Sequence, residues 1–124
     1  MLLDTDVMVD ILRGHPPAVA WLAGLGAMPV GLLGLVAMEL LQGCRNLADQ
    51  QRLEKHLQRF TLSWPTPTDG QRAYQDFAAF RLSHGLGLLD TLIGHTAIGL
   101  GETLATFNVK HYAVITGLRT VQPY

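Results

Sequence analysis

The stretch Leu2-Leu3-Asp4-Thr5-Asp6 passes from an apolar strand into a helix within five residues. The two leucines are typical of a short buried strand, and either aspartate can cap the helix that follows. A strand followed at once by a helix favours an α/β fold with parallel strands. The same stretch leaves two carboxylates beside an apolar run, which is costly unless something compensates for their charge.

Three later segments repeat this pattern of an apolar run that ends in an acid or its amide. They are residues 36–40 with Glu39, residues 88–91 with Asp90, and residues 104–108 with Asn108. Two carboxylates about 4 Å apart repel by roughly 4 kcal/mol at an effective dielectric constant near 20. If the fold gathers Asp4, Glu39 and Asp90 into one site, a bound divalent cation is the natural compensation.

The rest of the chain predicts short strands that alternate with helices. The predicted strands are 1–3, 29–33, 61–64, 103–107 and 120–122. The predicted helices begin at residue 4 or 6, at 16, 35 and 49, at 68 or 69, where Thr68 or Asp69 is the cap, and at 91, where Asp90 is the cap. In a parallel sheet covered on both faces, ligands collect beyond the carboxyl ends of the strands. All four segments can therefore converge on one edge of the sheet.

Length and composition indicate a single domain over residues 1–124. Hydrophobic residues make up 48% of the chain and charged residues 15%, and this apolar excess fits either a core or a partner surface. The net charge of −1 gives no support to tight, non-specific nucleic-acid binding. It does allow an enzyme that meets phosphate through metal ions.

The remaining composition favours a reducing compartment without membrane insertion. Cys44 is the only cysteine and is interpreted as a buried apolar residue rather than a nucleophile. The acids near the N-terminus are not typical of a secretory signal. Residues 16–38 carry no charge, but Pro29 and several glycines interrupt them, which disfavours a membrane helix.

The residue types of the candidate site favour a hard cation. Carboxylates without a cysteine or histidine cluster suit Mg²⁺ or Mn²⁺, and the five histidines lack zinc spacing. We interpret each histidine as a surface or capping residue. An acid-lined Mg²⁺ site suits hydrolysis of a phosphodiester, because the metal activates water and stabilises charge on the leaving oxygen.

Segments 2–14, 38–43, 89–93 and 105–112, taken in order, resemble the PIN-domain ribonucleases and, among them, the VapC-type toxins of bacterial toxin–antitoxin pairs. The resemblance covers essentially the whole chain. It implies a three-layer α/β/α fold with a short, mostly parallel central sheet. It also implies a cytoplasmic, metal-dependent endoribonuclease that acts on RNA, forms a homodimer and is held inactive by a VapB-like antitoxin.

The resemblance also assigns site residues by position. Asp4, Glu39 and Asp90 match the metal-binding acids of the family, which uses Mg²⁺ or Mn²⁺. Asn108 matches a position where many relatives have an acid, and this neutral amide leaves open whether one or two metals bind. Three further residues match positions in the surroundings of the metal: Asp6, Thr91 and Thr106.

Local alternatives stay open for these residues. Asp4, Asp6 and Asp90 could be helix caps, each worth about 1 kcal/mol, and Asn108 could be a turn residue. Glu39 is harder to explain without a partner, since it lies in an almost entirely apolar helix. For His111 and Tyr112 packing or capping is favoured, and for Arg13 and Lys110 contact with RNA phosphate competes with solvated surface charge.

Two other functions compete with the ribonuclease. An apolar strand followed by Asp4 and Asp6 also resembles the haloacid-dehalogenase phosphatases, in which the first aspartate is a nucleophile. That function wants a later acidic pair, which we do not find, and leaves Glu39 unexplained. A non-catalytic PIN-like module that binds a partner is the third possibility, which the neutral Asn108 favours.

Overall fold

Five parallel strands of two residues each form the centre of the fold, and the computed structural model describes residues 1–124. The strands are β1 (Leu2–Leu3), β2 (Leu32–Leu33), β3 (Leu62–Ser63), β4 (Leu104–Ala105) and β5 (Thr120–Val121). They pair in the orders β1-β4-β5 and β2-β3, all parallel. A single bridge between Leu2 and Gly31 joins the two sets, so the strands follow the order β3-β2-β1-β4-β5.

Seven helices surround the strands in three α/β/α layers, which confirms the predicted fold class. They are α1 (Thr5–Leu12), α2 (Pro16–Gly24), α3 (Gly34–Gln42), α4 (Leu47–Leu57), α5 (Pro67–His84), α6 (Leu88–Leu100) and α7 (Val109–Tyr112). The sequence pattern predicts the first six and misses α7. A helix of four residues is too short for a hydrophobic period to become visible.

The structure corrects two predicted helix caps. The cap of α5 is Thr66, whose hydroxyl accepts a hydrogen bond from the Asp69 amide while Asp69 accepts from the Thr66 amide. The prediction of Thr68 or Asp69 as the cap is therefore wrong, although Asp69 takes part in this capping box. The cap of α6 is Gly87, so Asp90 lies in the first turn of that helix and does not cap it.

The short strands β1, β2 and β4 are buried in the core of the fold. Leu3, Leu32, Leu33 and Leu104 are fully buried, as expected for strands that are covered on both faces. The predicted strand at 29–33 is reduced to Leu32–Leu33, with only Gly31 bridged to a neighbouring strand before it.

No helix is both long and apolar enough to cross a membrane, and the uncharged segment 16–38 divides into α2, a turn, β2 and the start of α3.

One histidine departs from its predicted surface or capping role. His95 on α6 is only 7% exposed, and its Nε2 lies 2.6 Å from Asp76 Oδ2 on α5. The pair lies between the two helices with the most extensive mutual packing in the fold. The sequence pattern could not identify it, because the partners are nineteen residues apart on different helices.

Gly34, the first residue of α3, lies against the indole of Trp64 and provides a test of the packing. A Cβ at this position would overlap the Trp64 ring, so we expect Gly34→Ala to lower the free energy of unfolding by about 1–3 kcal/mol. Gly70 lies in α5 with open space around it, so Gly70→Ala is a matched control expected to stabilise by about 0.5–1 kcal/mol. Urea unfolding measures both, and equal effects of the two changes would contradict this packing.

Candidate active site

Asp4 lies at the carboxyl end of β1 and is the N-cap of α1. It is 3% exposed, and its Oδ1 accepts a hydrogen bond of 2.8 Å from the Thr5 amide. Its Oδ2 accepts one of 2.8 Å from the hydroxyl of Thr106, which follows the adjacent strand β4. Capping therefore uses one oxygen, and a residue 102 positions away fixes the other.

Asp6 and Asn108 are held by the turn that follows β4. The carboxylate of Asp6 accepts hydrogen bonds from the amides of Val7 at 2.7 Å and Phe107 at 2.9 Å. The backbone amide of Asn108 donates to the Thr106 hydroxyl at 3.0 Å. The Asn108 side chain is exposed at the start of α7 and forms no capping hydrogen bond. Asp6 thus fixes the turn, while Asn108 presents a free carboxamide.

Glu39 and Asp90 approach from two helices. Glu39 is half-buried on α3, and its Oε1 accepts a hydrogen bond of 2.8 Å from the Thr5 hydroxyl. Asp90 is half-buried in the first turn of α6, and the hydroxyl of Tyr112 lies 3.4 Å from its Oδ1. The fold therefore brings Asp4, Glu39 and Asp90 together from separate elements, as the sequence pattern predicts.

The carboxylates of the site destabilise one another's ionised form. Burial raises the pKa of Asp4, Asp6, Glu39 and Asp90 above the ordinary carboxyl value, and this is the largest cause in each case. Mutual repulsion raises these pKa values further, since Asp90 acts on Asp4, and Asp4, Asp90 and Asp6 all act on Glu39. None of the four forms an ion pair with lysine, arginine or histidine. We define these four side chains as the acidic cluster.

Tyr112 is a site residue whose role the sequence pattern did not predict. It is 1% exposed on α7, and its hydroxyl interacts with Asp4 as well as with Asp90. Burial and the neighbouring carboxylates raise the pKa of its phenol far above the ordinary value, so Tyr112 remains a hydrogen-bond donor. Its neighbour His111 is exposed, and its positive charge would lower the pKa of Asp90. The one sequence signal for a role of Tyr112 in the site was its position four residues after Asn108.

The predicted surroundings of the cluster are only partly as expected. Thr106 contacts Asp4 directly. Asp6 belongs to the acidic cluster, and its carboxylate accepts a hydrogen bond from the Phe107 amide in the turn after β4. The hydroxyl of Thr91, in contrast, donates to the Gly87 carbonyl of its own helix at 2.6 Å. Thr91 therefore contacts the backbone of α6 and no carboxylate of the acidic cluster.

The donor set suits a hard divalent cation that keeps part of its water shell. No group of three or more His, Cys, Asp or Glu side chains is arranged to surround a metal ion closely. Mg²⁺ does not need such a cage, because one or two carboxylates and several waters commonly hold it. Half-buried carboxylates with raised pKa values and no paired cation fit that type of binding.

Comparison with known proteins agrees with the fold. The PIN-domain family model matches residues 1–115. The chain is 32% identical to Ribonuclease VapC19 of Mycobacterium tuberculosis over 121 residues, which cover 95% of this chain and 96% of the relative. It is similar in structure to a toxin–antitoxin complex from Klebsiella pneumoniae, with a TM-score of 0.71, 28% identity and coverage of 99% and 97%.

The fold is also shared with more distant proteins. VapBC2 from Rickettsia felis, solved bound to a DNA fragment from its promoter, has a TM-score of 0.77 at 23% identity. That match covers 97% of this chain and 96% of the other. Sequence and structure together therefore show that the chain belongs to the PIN-domain family and is of the VapC ribonuclease type.

Proposed function

We propose that this chain is a metal-dependent endoribonuclease that hydrolyses RNA phosphodiester bonds as the toxin of a VapBC-type pair. The observation that carries the proposal is the convergence of Asp4, Glu39 and Asp90 from three separate elements into one acidic cluster without a paired cation. A relative at 32% identity is a ribonuclease, which supports the same activity here.

In this proposal Asp4, Glu39 and Asp90 would hold Mg²⁺ or Mn²⁺, in part through waters that the cation keeps. A bound divalent cation lowers the pKa of its water and stabilises charge on the phosphate oxygens. The cation would also offset the repulsion that raises the pKa values of the carboxyl groups. Because Asn108 is neutral, the proposal requires only one cation.

Three hydroxyl groups keep the carboxylates in position for this role. Thr106 donates to Asp4, Thr5 donates to Glu39, and Tyr112 approaches Asp90 and Asp4. Each hydroxyl occupies one lone pair and leaves the others free for a cation and its waters. Preorganised carboxylates lose less entropy when the cation binds, so these hydroxyl groups should raise metal affinity.

Asp6 and Asn108 act at the substrate side of the site. Asp6 fixes the turn after β4 through the Phe107 amide, and this turn carries Asn108 into solvent. The carboxamide of Asn108 can donate to a phosphate oxygen or orient a water molecule. Because this carboxamide is neutral, it does not add to the repulsion between the carboxylates and the RNA phosphate.

The partners are proposed from the relatives and the surface. Toxin–antitoxin complexes among the structural neighbours support a VapB-like antitoxin. We propose that the chain acts on RNA in the cytoplasm. We propose residues 1–124 as a single domain that forms a homodimer. Met38, Leu82 and Leu88 are 56%, 84% and 65% exposed, and they offer apolar surface for protein contacts.

Cleavage assays distinguish this function from its two competitors. With Mg²⁺ present, we expect the purified chain to cut a single-stranded RNA oligonucleotide internally and to leave p-nitrophenyl phosphate intact. A phosphatase of the haloacid-dehalogenase type would hydrolyse p-nitrophenyl phosphate and would not use Glu39. Phosphatase activity without RNA cleavage, or the absence of both activities, would contradict the proposed function.

A further inference from the structure

An open cleft begins at the acidic cluster and runs between α1, α3 and α4. Its volume of about 970 Å³ is at the upper end for ligand pockets. Thr5 and Glu39, which are hydrogen-bonded to each other, both line the cleft. The cleft therefore opens directly onto one of the proposed metal-binding carboxylates.

The other side of this cleft is basic. Arg13 from the end of α1, Arg45 before α4 and Arg52 on α4 line it, together with His56. Arg13 forms no ion pair with any acid of the chain. Asp49, the one acid in the cleft besides Glu39, is already paired with Arg45 and Arg52, so this part of the cleft keeps a net positive charge.

The positive charge continues beyond the cleft along α4. Lys55 and Arg59 lie next to His56 in a shallow depression that extends the cleft towards the end of this helix. Five of the nine lysine and arginine residues of the chain therefore lie in or beside this path: Arg13, Arg45, Arg52, Lys55 and Arg59. A chain of net charge −1 has thus concentrated its basic side chains on one approach to the acidic cluster.

The rest of the lining shows what kind of polyanion fits. Leu12, Leu40 and Leu53 add apolar surface, but Phe, Tyr and Trp are absent from the cleft. Arginine side chains bind phosphate oxygens in a bidentate manner, whereas aromatic rings are the usual platforms for stacked bases. The lining therefore favours contacts with a sugar–phosphate backbone over stacking of bases.

We infer that this basic cleft binds the phosphodiester backbone of single-stranded RNA on one side of the bond that is cut. This inference rests on the proposed ribonuclease function and adds the path of the substrate to it. Arg13 and Arg52 bind phosphates on that one side of the scissile phosphate, so they position the strand over the acidic cluster. Phosphate contacts carry no base information, so the cleft adds affinity without sequence preference.

The test compares two double variants that lose the same charge. Arg13→Gln with Arg52→Gln removes two arginines from the cleft, and Arg72→Gln with Arg81→Gln removes two exposed arginines from α5. We measure the binding of a fluorescent single-stranded RNA by anisotropy over a range of salt concentrations, in an Asp90→Asn background that does not cut. Steady-state cleavage is measured with Asp90 intact, and urea unfolding checks the stability of each variant.

We expect the cleft variant to raise KM by about 10-fold with kcat nearly unchanged, because only ground-state binding is lost. The slope of log affinity against log salt should become shallower by about 1.4, or 0.7 for each lost phosphate contact on a single strand. The α5 variant should keep the wild-type KM and salt slope.

An unchanged salt slope and KM in the cleft variant, beside active cleavage by the wild-type chain, would overturn the inference and leave the proposed function intact. That result would assign the cleft to a protein partner. Failure of the wild-type chain to cut any RNA would instead contradict the proposed function. Equal effects of the cleft and α5 variants would reduce the effect to overall charge and would also overturn the inference.

Discussion

Asp90→Asn is expected to lower kcat/KM for RNA cleavage by about 10³-fold or more. The amide keeps the size of the side chain but removes a full negative charge from the acidic cluster. Loss of a cation that supplies several kcal/mol of transition-state stabilisation corresponds to a factor of this size. Because Asp90 does not cap α6, the fold should tolerate the change, which single-turnover cleavage and urea unfolding can measure together.

Asp10→Asn is the matched control for this substitution. Asp10 lies on α1 and accepts a hydrogen bond of 2.8 Å from the Tyr124 hydroxyl, outside the acidic cluster. An asparagine oxygen can accept the same bond, so cleavage by this variant should remain within a few-fold of wild type. Comparable losses from Asp10→Asn and Asp90→Asn would show that Asp90 has no special role in the site.

Tyr112 has two roles, in packing and in hydrogen bonding, that two substitutions should separate. Tyr112→Ala removes a ring that is 1% exposed and should lower the free energy of unfolding by about 3–5 kcal/mol through the cavity it leaves. Tyr112→Phe keeps the ring and removes only the hydroxyl that approaches Asp90 and Asp4. We expect its unfolding free energy to stay within about 1 kcal/mol of wild type.

The phenylalanine variant should nevertheless bind metal more weakly. Partners that orient metal-binding side chains are typically worth about 10–100-fold in affinity, and we expect a loss in that range for Mn²⁺ in calorimetric titrations without RNA. Tyr124→Phe is the control, since it removes a phenol that donates to Asp10 outside the cluster. Unchanged Mn²⁺ affinity in Tyr112→Phe would restrict Tyr112 to a packing role.

The sequence predicted the layered fold because its signals are local. Alternation of apolar strands with helices is readable from neighbouring residues, and so is the placement of Asp4 at a strand end. The placement of Asp4 and Asn108 at one edge of the sheet followed from the rule that parallel strands end together, and β1 and β4 are adjacent. The predicted strands were too long, since only two residues of each pair.

The contacts that hold the acidic cluster could not be predicted in the same way. The hydrogen bond from Thr106 to Asp4 joins residues 102 positions apart, and the one from Thr5 to Glu39 joins residues 34 apart. Their geometry depends on how the helices pack, which no local pattern specifies. The contact of Tyr112 with Asp90 was not predicted, because α7 is too short to recognise. The cap assigned to Asp90 was wrong because the N-cap of α6 is Gly87, three residues earlier.

The basic cleft shows a further limit of sequence patterns. Arg13 lines the same cleft as Arg45 and Arg52, although more than thirty positions separate it from both. Overall charge pointed away from tight nucleic-acid binding, because a net charge of −1 conceals the concentration of basic side chains on one face. Only the packing of α1, α3 and α4 brings those charges beside the acidic cluster.

Cleavage of single-stranded RNA with the divalent cations controlled tests the central role of the acidic cluster most directly. After removal of divalent cations with EDTA, we predict that the wild-type chain cuts RNA no faster than Asp90→Asn. Excess Mg²⁺ should then restore cleavage to the wild-type chain and leave the variant inactive. Cleavage that persists both in the chelator and in Asp90→Asn would contradict a metal site built on Asp4, Glu39 and Asp90.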